Sequence, residues 1–195
     1  MQIIGHKGAK GLAPENSIES IRKALQTNVD AIEIDIRMQQ GSVVLSHDRT
    51  VRERIYCPIQ QALQEIDGSV PIILDIKEQS VVKPLLKALK GYTGELIYSS
   101  HKFRVLQAIK EAIPDAQLAV IEKWSGVRAV AEATFLGTKR IHINHNWLWS
   151  KFVASMINEG YILYAYTVND QERANELKKW GVHGIFTDHP DKIKD

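Results

Sequence analysis

Two stretches of the chain carry charged side chains where a buried strand should be apolar. In Ala31-Ile32-Glu33-Ile34-Asp35-Ile36-Arg37 the isoleucines share one face, so the two-residue period puts Glu33 and Asp35 together on the other. Two such carboxylates lie roughly 6 to 7 Å apart along a strand and repel unless a positive charge sits between them. In Ile72-Ile73-Leu74-Asp75-Ile76-Lys77 the same alternation pairs Asp75 with Lys77. Carboxylates alone, with no paired cysteines or spaced histidines beside them, suit one divalent cation of the hard type, Mg2+ or Ca2+, with Mn2+ admissible. An edge strand with one solvated face would show the same pattern, but its recurrence in a second strand favours the metal.

Two histidines arrive at the ends of apolar runs: His6 in Ile4-Gly5-His6-Lys7-Gly8, and His47 in Val43-Val44-Leu45-Ser46-His47-Asp48. An imidazole exchanges protons near neutral pH, so one can take the proton of an attacking oxygen while the other protonates a leaving oxygen. With a cation and a lysine to neutralise phosphoryl oxygens, this is the equipment of phosphodiester hydrolysis.

These side chains require strands that deliver them to one place. Short Ile- and Val-rich runs at 2–6, 31–37, 72–77, 96–99, 117–121, 140–143, 162–167 and 184–187 alternate with segments of helical period at 17–27, 81–90, 103–112, 149–159 and 171–180. A short helix is expected around 58–65. Asn16 or Ser17 reads as an N-cap, and Gly160 and Gly181 stand where helices often stop in a left-handed turn. Eight βα units in 195 residues predict an α/β fold, a compact (β/α)8 TIM barrel, whose strand ends collect a site on one face. An open doubly wound sheet is the alternative, but no glycine fingerprint supports it. Without a linker or low-complexity stretch, residues 1–195 read as one domain.

Composition narrows the classes further. With 44% hydrophobic and 25% charged residues, the chain reads as an ordinary globular protein, and a net charge of +2 gives no basic groove for nucleic acid. No apolar run approaches the roughly 18 residues of a membrane span, and the first residues show no secretion leader. A single cysteine, Cys57, excludes an internal disulfide, and a cytoplasmic setting fits.

In order along the chain, His6-Lys7-Gly8, Ala13-Pro14-Glu15-Asn16-Ser17, Glu33-Ile34-Asp35 and His47-Asp48 resemble the amino-terminal signature of glycerophosphodiester phosphodiesterases. Leu74-Asp75-Ile76-Lys77 is similar to that family's acid-x-lysine motif, and Thr167-Val168-Asn169 with Gly181 to Pro190 resembles its closing pattern. The resemblance implies a TIM barrel, His6 and His47 as the acid-base pair, Glu33, Asp35 and Asp75 on the metal, and Lys77 on phosphate. It further implies cleavage of a small-molecule glycerophosphodiester to glycerol phosphate and an alcohol. Other headgroups, of inositol, sphingolipid or lysophospholipid type, and a barrel that binds diesters or a partner without turnover, are the competing readings.

Departures from the pattern are specific. Lys7 stands where the family usually has Arg, exchanging a planar fork for a point charge. Asp75 replaces the usual Glu, Tyr166 the usual Trp, and between His47 and Asp75 there is room for little of the family's insertion, which predicts an open site. The remaining candidates have plain structural alternatives. Glu15 and Asn16 read first as the start of a helix, Tyr166 with Asn169 as a pocket wall or an aromatic lid, and Asp188 as a turn residue. His142 and His145 near Trp147 and Trp149 read more as packing than as site, and His101, His183 and His189 as structural.

Overall fold

A computed structural model describes residues 1–194. Among them, nine strands and seven α-helices follow in the order β1 (Gln2–Gly5), α1 (Ile18–Gln26), β2 (Ala31–Gln39), β3 (Ser42–Leu45), α2 (Ile59–Ile66), β4 (Ile72–Ile76), α3 (Val82–Ala88), β5 (Leu96–Ser100), α4 (Phe103–Ala112), β6 (Gln117–Glu122), α5 (Gly126–Leu136), β7 (Arg140–Asn144), α6 (Ser150–Asn158), β8 (Ile162–Tyr166), α7 (Gln171–Trp180) and β9 (Gly184–Thr187). β1 pairs in parallel with both β2 and β9, so the sheet closes on itself. The eight parallel strands make a (β/α)8 barrel, as the alternation of apolar runs and helical periods predicts.

β3 is not a barrel strand. It folds back antiparallel on the extended end of β2, pairing Ile36 with Leu45 and Gln39 with Ser42. Gln40 and Gly41, both at positive φ (47° and 86°), form the two-residue turn that suits a tight hairpin. The fold-back returns the chain to the rim, where the Ser46 amide donates to the Asp35 carbonyl at 3.0 Å. His47 follows at the mouth.

The pleat separates two cores. Ile32, Ile34 and Ile36 of β2 and Ile72, Leu74 and Ile76 of β4 are fully buried beneath the helices. The opposite face fills the barrel with Ile4, Ala31, Ile73, Ile97, Ala119, Tyr164 and Phe186. Burying each large side chain contributes roughly 1.5–3 kcal/mol, so this lower layer is a packed floor and not a pore. Two residues further along the same strands, the inward positions become polar: His6 above Ile4, Asp75 above Ile73, Ser99 above Ile97.

α5 is the element that the apolar pattern did not predict. Ser125 caps it by accepting from the Arg128 amide, and Gly137 ends it at φ 67°. Its Val127 and Phe135 remain 84% and 71% exposed, which blurs the helical stripe. At α1 the N-cap is Ser17, which accepts from the Ser20 amide, and Asn16 is left for another role.

Candidate active site

The strand register determines which charged groups meet. Asp35 of β2 lies beside Asp75 of β4 in the parallel ladder, and both point inward, one pleat above Glu33 and Ile73. Oxygen atoms of Glu33, Asp35 and Asp75 all fall within 4.8 Å of one another. Glu33 and Asp35 are 4% and 1% exposed. The Asp75 Oδ1 atom is buried and makes no hydrogen bond within the chain. An unsatisfied buried carboxylate oxygen is costly, and an all-oxygen set of this compactness fits a divalent cation.

Two lysines partly neutralise the cluster. The Lys77 ammonium sits 2.6 Å from Asp35 Oδ1 and donates to Asp75 Oδ2, while Lys7 Nζ is 3.7 Å from Asp35 Oδ2 and 3.1 Å from Glu15 Oε2. Burial would raise the Asp35 pKa, but Lys77 and Lys7, with hydrogen bonds from Lys77 and Asn16, bring it below the usual carboxylate value. Glu33 goes the other way: burial first, then repulsion from Asp35 and Asp75, hold it well above the usual range. Lys77 stays protonated, because Asp75 and Asp35 outweigh the cost of its burial.

Backbone conformation at the end of β1 supports this arrangement. Lys7 and Gly8 adopt positive φ (54° and 82°), which turns the Lys7 amide onto Glu33 Oε2 at 2.8 Å. A Cβ at Gly8 would lie 2.4 Å from Ser20 Oγ, so only glycine fits there. Asn16, also at positive φ, brackets Asp35: its Nδ2 donates to Asp35 Oδ2 at 2.8 Å, and its Oδ1 accepts from the Asp35 amide at 3.0 Å. Its reading as a helix cap is thereby corrected.

His6 and His47 line the same cavity of about 590 Å3, together with Glu33, Asp35, Asp75, Lys7, Lys77 and Tyr166. The two imidazoles differ in setting. His6 Nδ1 lies 2.6 Å from Asp188 Oδ1, and its Nε2 is 4.0 Å from Glu33 Oε2. Asp188 accepts a further bond from Asn169 Nδ2 at 2.9 Å. Burial opposes ionisation of Asp188, but the bonds from His6 and Asn169 hold its pKa down at about 2. An ionised acceptor at Nδ1 makes that nitrogen the donor and leaves the Nε2 lone pair turned toward the carboxylates. His47 is half exposed, with Nδ1 3.0 Å from Asp48 Oδ1.

Asp188 is therefore more than a turn residue, and register explains why. Ile4 pairs with Phe186 across β1 and β9, so two residues further along each chain His6 meets Asp188. His101, read as structural, also lines the cavity, and burial lowers its pKa. His142 lies within β7 and not in the loop after it. It is 2% exposed among Tyr164 and Phe186, its Nε2 makes no hydrogen bond, and burial lowers its pKa to about 3. Tyr166 walls the cavity and donates to the Glu122 carbonyl at 2.9 Å. His145 packs against Arg173 outside this cavity, His183 accepts from the Leu163 amide, and His189 lies against Gly11.

The model of the glycerophosphoryl diester phosphodiesterase family matches residues 6–55 and 65–192. The chain belongs to this family. The break in the match, residues 56–64, falls on the end of the β3–α2 segment and most of α2. Among curated proteins, YhdW of Bacillus subtilis is 29% identical over 234 aligned residues, covering 99% of this chain and 96% of YhdW. A glycerophosphodiester phosphodiesterase of Caldanaerobacter subterraneus is 24% identical, covering 98% of this chain and 95% of its own. Among solved structures, an Oleispira antarctica phosphodiesterase in complex with the product sn-glycerol-3-phosphate superposes with a TM-score of 0.92 at 21% identity, covering 99% of this chain and 95% of that one. The Thermotoga maritima glycerophosphodiester phosphodiesterase superposes at 0.78 with 19% identity, over 98% and 96% of the two chains.

Proposed function

We propose that the protein hydrolyses glycerophosphodiesters to glycerol phosphate and an alcohol, with one divalent cation held by Glu33, Asp35 and Asp75. The observation that carries this reading is the convergence of the three carboxylates, within 4.8 Å, in a cavity that also contains His6 and His47. When bound, the cation draws charge from the phosphoryl oxygens and orients the diester; its oxygen donors suit Mg2+, Ca2+ or Mn2+.

The chain's own groups divide the remaining work. His6 Nε2 takes the proton of the attacking oxygen, from water or a neighbouring hydroxyl of the substrate. As the new P–O bond forms, the P–O bond to the alcohol breaks, and His47 gives that alcohol oxygen a proton. His47 is assigned as the acid because it stands at the half-exposed rim, where the alcohol leaves. With water as attacker the imidazoles then exchange protons with solvent; with the hydroxyl as attacker the product is a cyclic phosphate, which water opens to glycerol phosphate with the two imidazoles in exchanged roles. Asp188 holds the His6 tautomer, Asn16 orients Asp35, and Lys7 and Lys77 offer ammonium groups to the phosphoryl oxygens. Tyr166 walls the pocket. We read residues 1–195 as one such domain, working in the cytoplasm.

Incubating the protein with a panel of glycerophosphodiesters and inositol, sphingolipid and lysophospholipid diesters, with and without each cation, tests the reading. Metal-dependent release of glycerol phosphate, seen by mass spectrometry and lost on chelation, is expected. Turnover of no diester under any metal would replace catalysis with binding.

A further inference from the structure

The rim of the barrel mouth carries two apolar patches that neither the fold nor the chemistry uses. The first is in the segment between β3 and α2, where Val51 is exposed and Ile55 is 96% exposed. This segment is not a loose loop. Gln39 Nε2 donates to the carbonyls of Val51 and Arg54 at 2.8 and 2.7 Å, and Thr50 Oγ1 donates to the Met38 carbonyl at 2.6 Å. It is thereby tied to the hairpin of β2 and β3, which extends beyond the strand ends.

The second patch comes from the loops after β6 and β7. Trp124 is 68% exposed, Trp147 packs edge-on against it at 6.1 Å, and exposed Trp149 immediately precedes α6. Trp124 is also held in place. The fully buried Glu122 accepts from the amides of Lys123 and Trp124 at 2.7 and 2.8 Å, and Arg128 pairs with its other oxygen. A cluster of large apolar rings left in water is unfavourable unless something covers it.

The charge around these patches indicates what does. Arg49, Arg52, Arg54 and Lys123 are exposed in these segments and Lys151 in the first turn of α6, against Asp48 and Glu53, and Lys102 and Arg104 are exposed after β5. The whole chain is only +2, so the cationic excess is local. Indole rings flanked by cations match the boundary of an anionic bilayer, where Trp is favoured and basic residues are drawn to the lipid headgroups. Among the described residues no helix is long and apolar enough to cross a membrane, so any contact is at the surface.

We infer that the C-terminal rim of the barrel docks on an anionic lipid surface through Ile55, Val51 and the Trp124, Trp147 and Trp149 cluster, presenting the mouth to the bilayer. This goes beyond the hydrolytic reading and is measured without turnover, so the two can fail separately. Sedimentation with phosphatidylglycerol-containing vesicles should retain the protein about tenfold or more better than pure phosphatidylcholine vesicles, with added salt reversing the difference. The Ile55→Ser/Trp124→Ser protein should partition about tenfold more weakly, and so should Arg52→Glu/Arg54→Glu. Neither pair touches the cavity, so circular dichroism, melting temperature and turnover of a soluble diester should be unchanged. In a Trp180→Phe protein, which keeps the rim indoles, brominated lipids should quench fluorescence. Equal partition of wild type and both double variants, vesicle binding without quenching, or rim-dependent self-association in place of vesicle binding would each overturn the inference.

Discussion

Replacing Asp188 by Asn isolates the contribution of the His6 pair. The new side chain is isosteric, but its two ends are no longer equivalent. Asn169 Nδ2 donates to Asp188 Oδ2 at 2.9 Å, and that contact keeps the oxygen of the introduced amide on the Asn169 side. The amide nitrogen then faces His6 Nδ1, now 2.6 Å from a carboxylate oxygen, and donates to it. The imidazole proton moves to Nε2, which removes the lone pair from the reacting side. Loss of a charge-assisted hydrogen bond alone costs about 1.5–3 kcal/mol, or about 10- to 150-fold in rate. The wrong tautomer removes general-base catalysis as well, extending the loss toward about 10,000-fold. Steady-state kinetics on a glycerophosphodiester should therefore show a loss in kcat with KM little changed and the melting temperature within a few degrees. Asn169→Ala, which removes the neutral support of Asp188 together with the acceptor of Thr187 Oγ1, should cost about 2- to 10-fold. A kcat for Asp188→Asn within about threefold of wild type would refute the tautomer argument, since a base of the kind proposed contributes about 100-fold or more.

Further outcomes follow from the same geometry. His47→Ala should lose about 100-fold or more on an alkyl diester but far less on bis(p-nitrophenyl) phosphate, whose leaving group needs no proton; equal losses would remove His47 from the acid role. Asn16→Ala should weaken cation affinity by about tenfold in titration calorimetry, because Asp35 loses both of its brackets; unchanged affinity would leave Asn16 a purely local residue. His142, held neutral with its pKa lowered from 6.5 to about 3, makes the unfolded chain bind the extra proton between those values. Stability from this group is thus lost as pH falls below 6.5, by roughly 2–3 kcal/mol at pH 4.5. His142→Phe should flatten that limb in urea melts at pH 7 and 4.5. Asp188 has the opposite chemistry: its lowered pKa contributes stability above the ordinary value of 3.8 that disappears as pH falls toward 2, roughly 1–2 kcal/mol after solvent screening. Asp188→Asn should reduce this acid dependence.

Residues whose placement follows from their own strand were legible in the sequence. Glu33, Asp35 and Asp75 interrupt apolar alternation at a fixed period, and that period alone turns them into the barrel. Eight strands could be counted because their apolar runs are bounded by helical segments. Contacts between distant segments were not legible. Nothing local distinguishes Asp188 from a turn aspartate, and its partner His6 lies 182 residues away. Asn16 was hidden by a nearer explanation, since Ser17 beside it is a true cap. α5 was missed for the converse reason: its exposed Val127 and Phe135 break the stripe that marks a buried helical face. His142 was grouped with the aromatic residues that follow it, but the ladder with Tyr164 sets it inside the barrel, apart from His145 and the tryptophans.

Anomalous diffraction from crystals soaked in Mn2+ tests the metal site most directly. One peak bonded to oxygens of Glu33, Asp35 and Asp75, at about 2.0–2.6 Å, is the expected result. A cation bound elsewhere in the cavity, or none at saturating metal, would contradict the assignment of these three carboxylates.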